Sequence, residues 1–326
     1  MRNANSIRAV VLSLLMVLMT QAGFIDQFNP LISEEETQLS DETSVFSSGA
    51  GTVFSNTKLS NGLYHTCAIL GNGSVSCWGE GDNGRLGNGA TSDKTTPTLT
   101  SSLGAGRTAV AISGGTSHTC VILDNGLVSC WGNGGFGQLG NGGNSNSLTP
   151  TLTSSLGVGR TAVVISSGNY HTCALLDNGS VSCWGFGSSG QQGNGGVSNQ
   201  NTPTLTSSLG AGRTAIALSN GYDHTCAILD NGSTSCWGLG TSGQLGDGSN
   251  SNKNIPTLTS SLGVGRTAVA IASGGTHTCA LLDNGLVSCW GKGTDGNLGD
   301  GGNSNQNTPT LTSSLGYGRT AFAIST

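Results

Sequence analysis

One histidine, two cysteines and one tryptophan recur in the same order five times, and the interval between copies never changes. Trp stands at 78, 131, 184, 237 and 290, each 53 residues after the last. His65, His118, His171, His224 and His277 keep that interval, and all ten cysteines fall into two columns of the repeat. A fixed period of about 40–55 residues rich in short strands is the mark of a β-propeller, with one four-stranded blade per repeat. Helical repeats would show a 3.6-residue apolar rhythm, and none is present. The 55 glycines and the scarcity of charge, 9% of residues, fit many tight turns between short strands. The expectation is an all-β chain.

The second repeat displays the strands. "RTAVAIS" (107–113), "HTCVIL" (118–123), "LVSCWG" (127–132) and "TPTLTSS" (149–155) occupy four successive positions, A to D. Position B is nearly continuously apolar, as expected where both faces of a sheet are covered. "DNG" (124–126) between B and C fits a three-residue hairpin loop with Gly in the left-handed region. A long loop containing "GQLGNGG" separates C from D.

"SGGTSHTCVILDNGLVSCWGNGGFGQLGNG" (113–142) resembles the repeat of the regulator of chromosome condensation (RCC1-like) family, and its CWG variant is most similar to secreted members. The resemblance covers residues 54–326 and implies blades at 54–106, 107–159, 160–212, 213–265 and 266–318, with a partial repeat at 319–326. It also implies a larger ring, of about seven blades, where five complete repeats are present here. Two endings fit. Either "GRTAFAIST" (318–326), an expected A strand, completes the first blade and closes a five-blade ring, or the chain is an arc of a larger propeller. The first repeat has the reverse defect, its A position reading only "NTKLS" (56–60).

The segments before the repeats are of different material. "MRNANSIR" followed by "AVVLSLLMVLMTQAG" reads as a signal peptide over 1–22, with an uncleaved anchor as the alternative. Residues 23–53, with "SEEETQLSDETS", read as an acidic flexible linker. Loss of Arg2 and Arg8 with the signal takes the net charge from −5 to −7. No basic patch remains for a phosphate backbone, which argues against nucleic acid as partner. The expected location is secreted, periplasmic or cell-surface, with membrane contact only through N-terminal tethering.

With a three-residue hairpin loop, paired residues in the first repeat have numbers summing to 144, so Cys67 faces Cys77 in a non-hydrogen-bonded pair. The same register joins Cys120 to Cys130, Cys173 to Cys183, Cys226 to Cys236 and Cys279 to Cys289. That separation suits disulfides in an oxidising compartment. A metal site is the competing reading, but H-x-C-x9-C is far from common zinc spacings and lacks a fourth ligand. Free buried thiols are the third. The histidine is expected to bond backbone in the turn entering strand B. The tryptophan is expected on the face opposite the cysteines, against the next blade. Arg107, Arg160, Arg213, Arg266 and Arg319 also recur at 53, and are expected to pair with Asp of the DNG loops or with turn carbonyls.

An active site needs a singular constellation, whereas here every His and Cys is a repeated one. No base or nucleophile of those types stands alone, and no phosphate-binding glycine motif opens a helix. The chain therefore reads as a non-enzyme without cofactor or metal. Variation among the repeats concentrates in the A–B loop and just after Trp, two regions that share one face of a blade. Tyr64, Tyr170, Tyr222, Phe136 and Phe186 lie there with Glu80, Arg85, Asp223 and Lys292. Aromatics amid scattered charge suit recognition of a protein partner. A glycan-binding adhesin, a passive envelope component and neutral drift of solvent loops are the alternatives. Nuclear members of the resembled family act as exchange factors or chromatin binders, and a secreted relative inhibits β-lactamases. Export and acidity fit the nuclear roles poorly.

Overall fold

A computed structural model describes residues 58–325; the expected signal peptide and linker, 1–22 and 23–53, lie outside the described residues. Twenty strands form five four-stranded antiparallel sheets, each taking its strands in chain order. In the second blade they are Ala109–Gly114, His118–Leu123, Val128–Gly132 and Ser147–Leu152. Strand D begins two residues earlier than expected. Its register slips between Cys130↔Thr151 and Gly132↔Ser147, beside Pro150, which has no N–H to give the ladder. The D strand is the outer edge of each sheet, where proline is tolerated.

The hairpin register is as anticipated. Cys67 is opposite Cys77 and His65 opposite Gly79, and Gly73 takes φ 76° in the loop, a conformation that suits glycine. All ten cysteines are joined in the five expected pairs, with Cα atoms 4.1 Å apart in each.

The core is divided among the blade interfaces. Cys67, Val75, Cys77 and Leu86 of the first blade meet Ala109, Ile112, Val121, Leu123 and Trp131 of the second. The same partition recurs between each later pair of blades. Each sheet therefore has a cysteine face turned to the following blade and a tryptophan face turned to the preceding one. The expectation that tryptophan packs on the next blade is thereby corrected: parity along the strand sets the face, while chain direction around the axis sets the neighbour. Trp131, Trp184, Trp237 and Trp290 are fully buried, and Trp78, with no described blade before it, is only half-buried.

The ends depart from expectation. The first blade carries its own short A strand, Leu59–Asn61. Residues 319–325 form no strand and join no sheet, although Ala321 N–H bonds the Gly285 carbonyl at 2.8 Å, as Ala109 N–H bonds Gly73 at 2.8 Å. The segment starts along an A-strand path and packs Ile324 on Cys279, Cys289 and Leu298. Each A strand is laddered only to the B strand of its own blade, and among the described residues no B strand follows 319–325.

Candidate recognition face

A hydrogen-bond relay fixes each pair of blades. His118 Nε2 lies 2.9 Å from Thr172 Oγ1 of the next blade; that hydroxyl donates to the Gln138 carbonyl at 3.0 Å, and Trp184 Nε1 donates to the same carbonyl at 2.9 Å. The pattern repeats at His65–Thr119–Arg85, His171–Thr225–Gln191 and His224–Thr278–Gln244. Since the threonine hydroxyl donates to the carbonyl, it accepts from the ring, which assigns the proton to Nε2. The expected histidine bond to turn backbone is replaced by this interblade link. The Nδ1 atoms of His65, His118, His171 and His224 are buried without a partner. Burial, reinforced at His65 by the Arg85 guanidinium, holds His65 down to about 4, and burial holds His118, His171 and His224 to about 3, so all four are neutral at pH 7.

On this frame the two variable loop sets meet. In every blade the residue after Trp-Gly donates its N–H to the carbonyl of the residue before His: Glu80 to Tyr64, Asn133 to Ser117, Phe186 to Tyr170, Leu239 to Asp223 and Lys292 to Thr276, all at 2.8–2.9 Å. Three nominated aromatics are in contact. Phe136, from the C–D loop of the second blade, has its ring 5.0 Å from Tyr170 and 5.1 Å from Phe186, both of the third blade. Tilted and edge-on rings at that spacing attract beyond their area burial. Asn169 N–H bonds the Tyr222 carbonyl at 2.9 Å, and Gln191 Nε2 lies 3.4 Å from Asp223 Oδ1, which extends the surface into the fourth blade. Tyr222 is 46% exposed and Tyr64, on the first blade, 60%. Burial raises the Asp223 carboxyl above the ordinary range, against the opposing Gln191 hydrogen bond.

Two nominated charges are otherwise engaged. Arg85 is buried, its guanidinium 2.7 Å from Glu80 and its Nε 2.9 Å from the Asp82 carbonyl. It occupies the column of Gln138, Gln191 and Gln244, whose backbone carbonyls anchor the relay, so its expected role as an exposed contact is corrected. Lys292 remains on the surface, 3.2 Å from Asp295. The repeated arginines pair as anticipated: Arg107, Arg160, Arg213 and Arg266 lie 3.1–3.4 Å from Asp124, Asp177, Asp230 and Asp283. Among the described residues no helix is long and apolar enough to cross a membrane.

Sequence reasoning missed the axial residues at the ends of the A strands. Their only signal was the glycine at 62, 115, 168, 221 and 274. At Gly168 a Cβ would strike the His171 imidazole and the Gly221 carbonyl of the next blade, so close approach demands glycine there.

The model for the RCC1-like domain matches residues 27–325. HERC2, an E3 ubiquitin-protein ligase of Mus musculus, is 33% identical over 232 residues, 70% of this chain and 5% of the relative. The ultraviolet-B receptor UVR8 of Arabidopsis thaliana is 32% identical over 244 residues, 74% of this chain and 54% of the relative. The chain thus spans about half of UVR8 and a small part of HERC2. Among solved structures, human WBSCR16 aligns with TM-score 0.69 at 25% identity, over 78% of this chain and 66% of that one. Yeast RCC1 (Prp20) bound to Kap60 aligns with TM-score 0.67 at 20% identity, over 79% and 63%. Five four-stranded sheets lying wholly within a family match that takes in residues 27–325, most of the chain, place this chain in the RCC1-like domain family.

Proposed function

We propose that the chain is an exported, non-enzymatic binding module that recognises another protein through the face formed by its A–B and C–D loops. The observation that carries this reading is the Phe136–Tyr170–Phe186 cluster, which spans two blades on a loop surface where the repeats otherwise diverge. The repeated blade interfaces need none of these rings, since the His–Thr–carbonyl–Trp relay and the cysteine faces already hold the blades. Grouped aromatics with low rotamer entropy are efficient anchors for a partner. Five disulfides belong to an oxidising environment, which supports export. Yeast RCC1 (Prp20), which shares the fold, is bound to Kap60 in its solved structure, and a protein partner is proposed for this chain too. A pull-down compares the full chain with a Phe136→Ala, Tyr170→Ala, Phe186→Ala variant that retains its near-ultraviolet dichroism. Loss of specific protein capture in the variant is expected. Equal capture by both removes the face from consideration, and selective binding to a glycan array would move the reading to a lectin.

A further inference from the structure

Asparagine followed two places on by serine or threonine, without a proline between, occurs at three places in the chain: Asn72 with Ser74, Asn178 with Ser180 and Asn231 with Ser233. All three stand in B–C hairpin loops, those of the first, third and fourth blades. The second and fifth blades carry leucine at the third place instead, Leu127 after Asn125 and Leu286 after Asn284.

The turn itself is the same in all five blades. Asn72, Asn178 and Asn231 Oδ1 accept the N–H of Ser74, Ser180 and Ser233 at 3.0, 3.1 and 3.1 Å. Asn125 and Asn284 Oδ1 accept the N–H of Leu127 and Leu286, both at 3.2 Å. The glycine between backs onto the next blade: a Cβ at Gly73, Gly179 or Gly232 would strike Thr108, Thr214 or Thr267. With the loop pinned on that side and Oδ1 held by the turn, the planar amide directs Nδ2 away from the turn. All three asparagines are exposed, and their Nδ2 atoms have no partner among the described residues. Asn201, Asn254 and Asn307 show the contrast, since each spends its Nδ2 on a glycine carbonyl of the preceding blade at 2.6–3.0 Å. What the three loops share and the other two lack is the serine hydroxyl. In the first blade Ser74 Oγ donates to Asn72 Oδ1 at 2.7 Å, so hydroxyl and amide stand together.

The fold asks for no serine at this place, because Leu127 and Leu286 occupy it while 41% and 39% exposed. A serine that the turn does not require, two residues after an exposed asparagine with an unspent amide, is the pattern on which N-linked glycans are placed in exported proteins. We propose that Asn72, Asn178 and Asn231 each carry an N-linked oligosaccharide. Nδ2 forms a bond to the anomeric carbon of a lipid-phosphate-linked oligosaccharide. The bond from that carbon to the phosphate oxygen breaks, its electron pair leaves on the phosphate, and Nδ2 gives up one proton. This rests on the export reading above, since such donors lie in the exporting membrane. The B–C loops are at the opposite end of the strands from the A–B and C–D loops. The sugars therefore sheathe one face of the blades and leave the Phe136–Tyr170–Phe186 cluster bare.

The test is peptide mass spectrometry of the protein isolated from the organism that makes it, with thiol alkylation before reduction to read the disulfides. Peptides holding Asn72, Asn178 and Asn231 are expected to carry sugar masses, and those holding Asn125 and Asn284 to be bare. Two variants made in the same organism check that the third residue decides. Ser180→Leu, which copies the loop of the second and fifth blades, should lose the sugar at Asn178 and keep its near-ultraviolet dichroism. Leu127→Ser should gain one at Asn125. Bare asparagine at all three positions overturns the proposal, and so does a sugar at Asn178 that survives Ser180→Leu or a bare Asn125 in Leu127→Ser. Exported, disulfide-bonded protein with bare asparagines removes the glycans alone, whereas cytosolic protein with free thiols removes export with them.

Discussion

Glu80–Arg85 and Asp177–Arg160 are the same ion pair at two depths. The Arg85 side chain is 4% exposed and that of Arg160 38%. Removing the carboxylate from the first leaves a buried guanidinium without its counter-charge, while removing it from the second leaves one that water solvates. Glu80→Ala should therefore cost about 2 kcal/mol or more, and Asp177→Ala under about 1 kcal/mol, measured by denaturant unfolding. Thr172 is the more sensitive point, because its hydroxyl serves both His118 and Gln138. Thr172→Val should lower stability by about 1–3 kcal/mol and Thr172→Ser by much less, since the first leaves the buried His118 Nε2 proton without an acceptor while the Gln138 carbonyl keeps its bond from Trp184. Arg85 was misread in the sequence for an instructive reason. Its column varies in side chain, which resembles surface drift, yet what the fold uses at that position is a backbone carbonyl that any residue supplies.

At the scale of the blade, the disulfide acts across a hairpin already defined by its turn. Each bridge closes a loop between cysteines ten residues apart, which corresponds to about 2–3 kcal/mol of denatured-state entropy. Cys173→Ser with Cys183→Ser should lower the unfolding midpoint accordingly while leaving the propeller assembled, because Val181, Leu175 and Trp237 still fill that interface. Complete loss of near-ultraviolet dichroism would contradict this. The hairpin was legible from residues because two local rules, a three-residue loop and alternation along a strand, determine which side chains face each other. The D strand was less so, since a bulge beside proline shifts register without altering the pattern. The direction in which tryptophan packs, and the partner of histidine, were not legible at all. Both depend on which blade lies on which side, a long-range fact that a period of 53 leaves unstated.

For the whole molecule, the neutral histidines make acid the main threat. His118, His171 and His224 titrate near 3 when folded and near 6.5 when unfolded. Between those values the unfolded chain binds more protons, so stability is full above about pH 6.5 and falls as pH drops towards 3. At pH 4 the loss is on the order of 3 kcal/mol for each such histidine, read as a steep fall in unfolding midpoint. A midpoint unchanged between pH 7 and pH 4 would show that the imidazoles are not sealed as described. The relay that seals them is also directional. Every joint takes an imidazole and a carbonyl from one sheet and a hydroxyl and an indole from the next, so no sheet is interchangeable front to back. Such a chain is arithmetic in whole units: excising one complete 53-residue module from the middle rejoins two matching halves, whereas removing 50 or 56 residues leaves a mismatched seam. Gain and loss of entire modules is thus the cheap route by which an assembly of this kind changes its circumference.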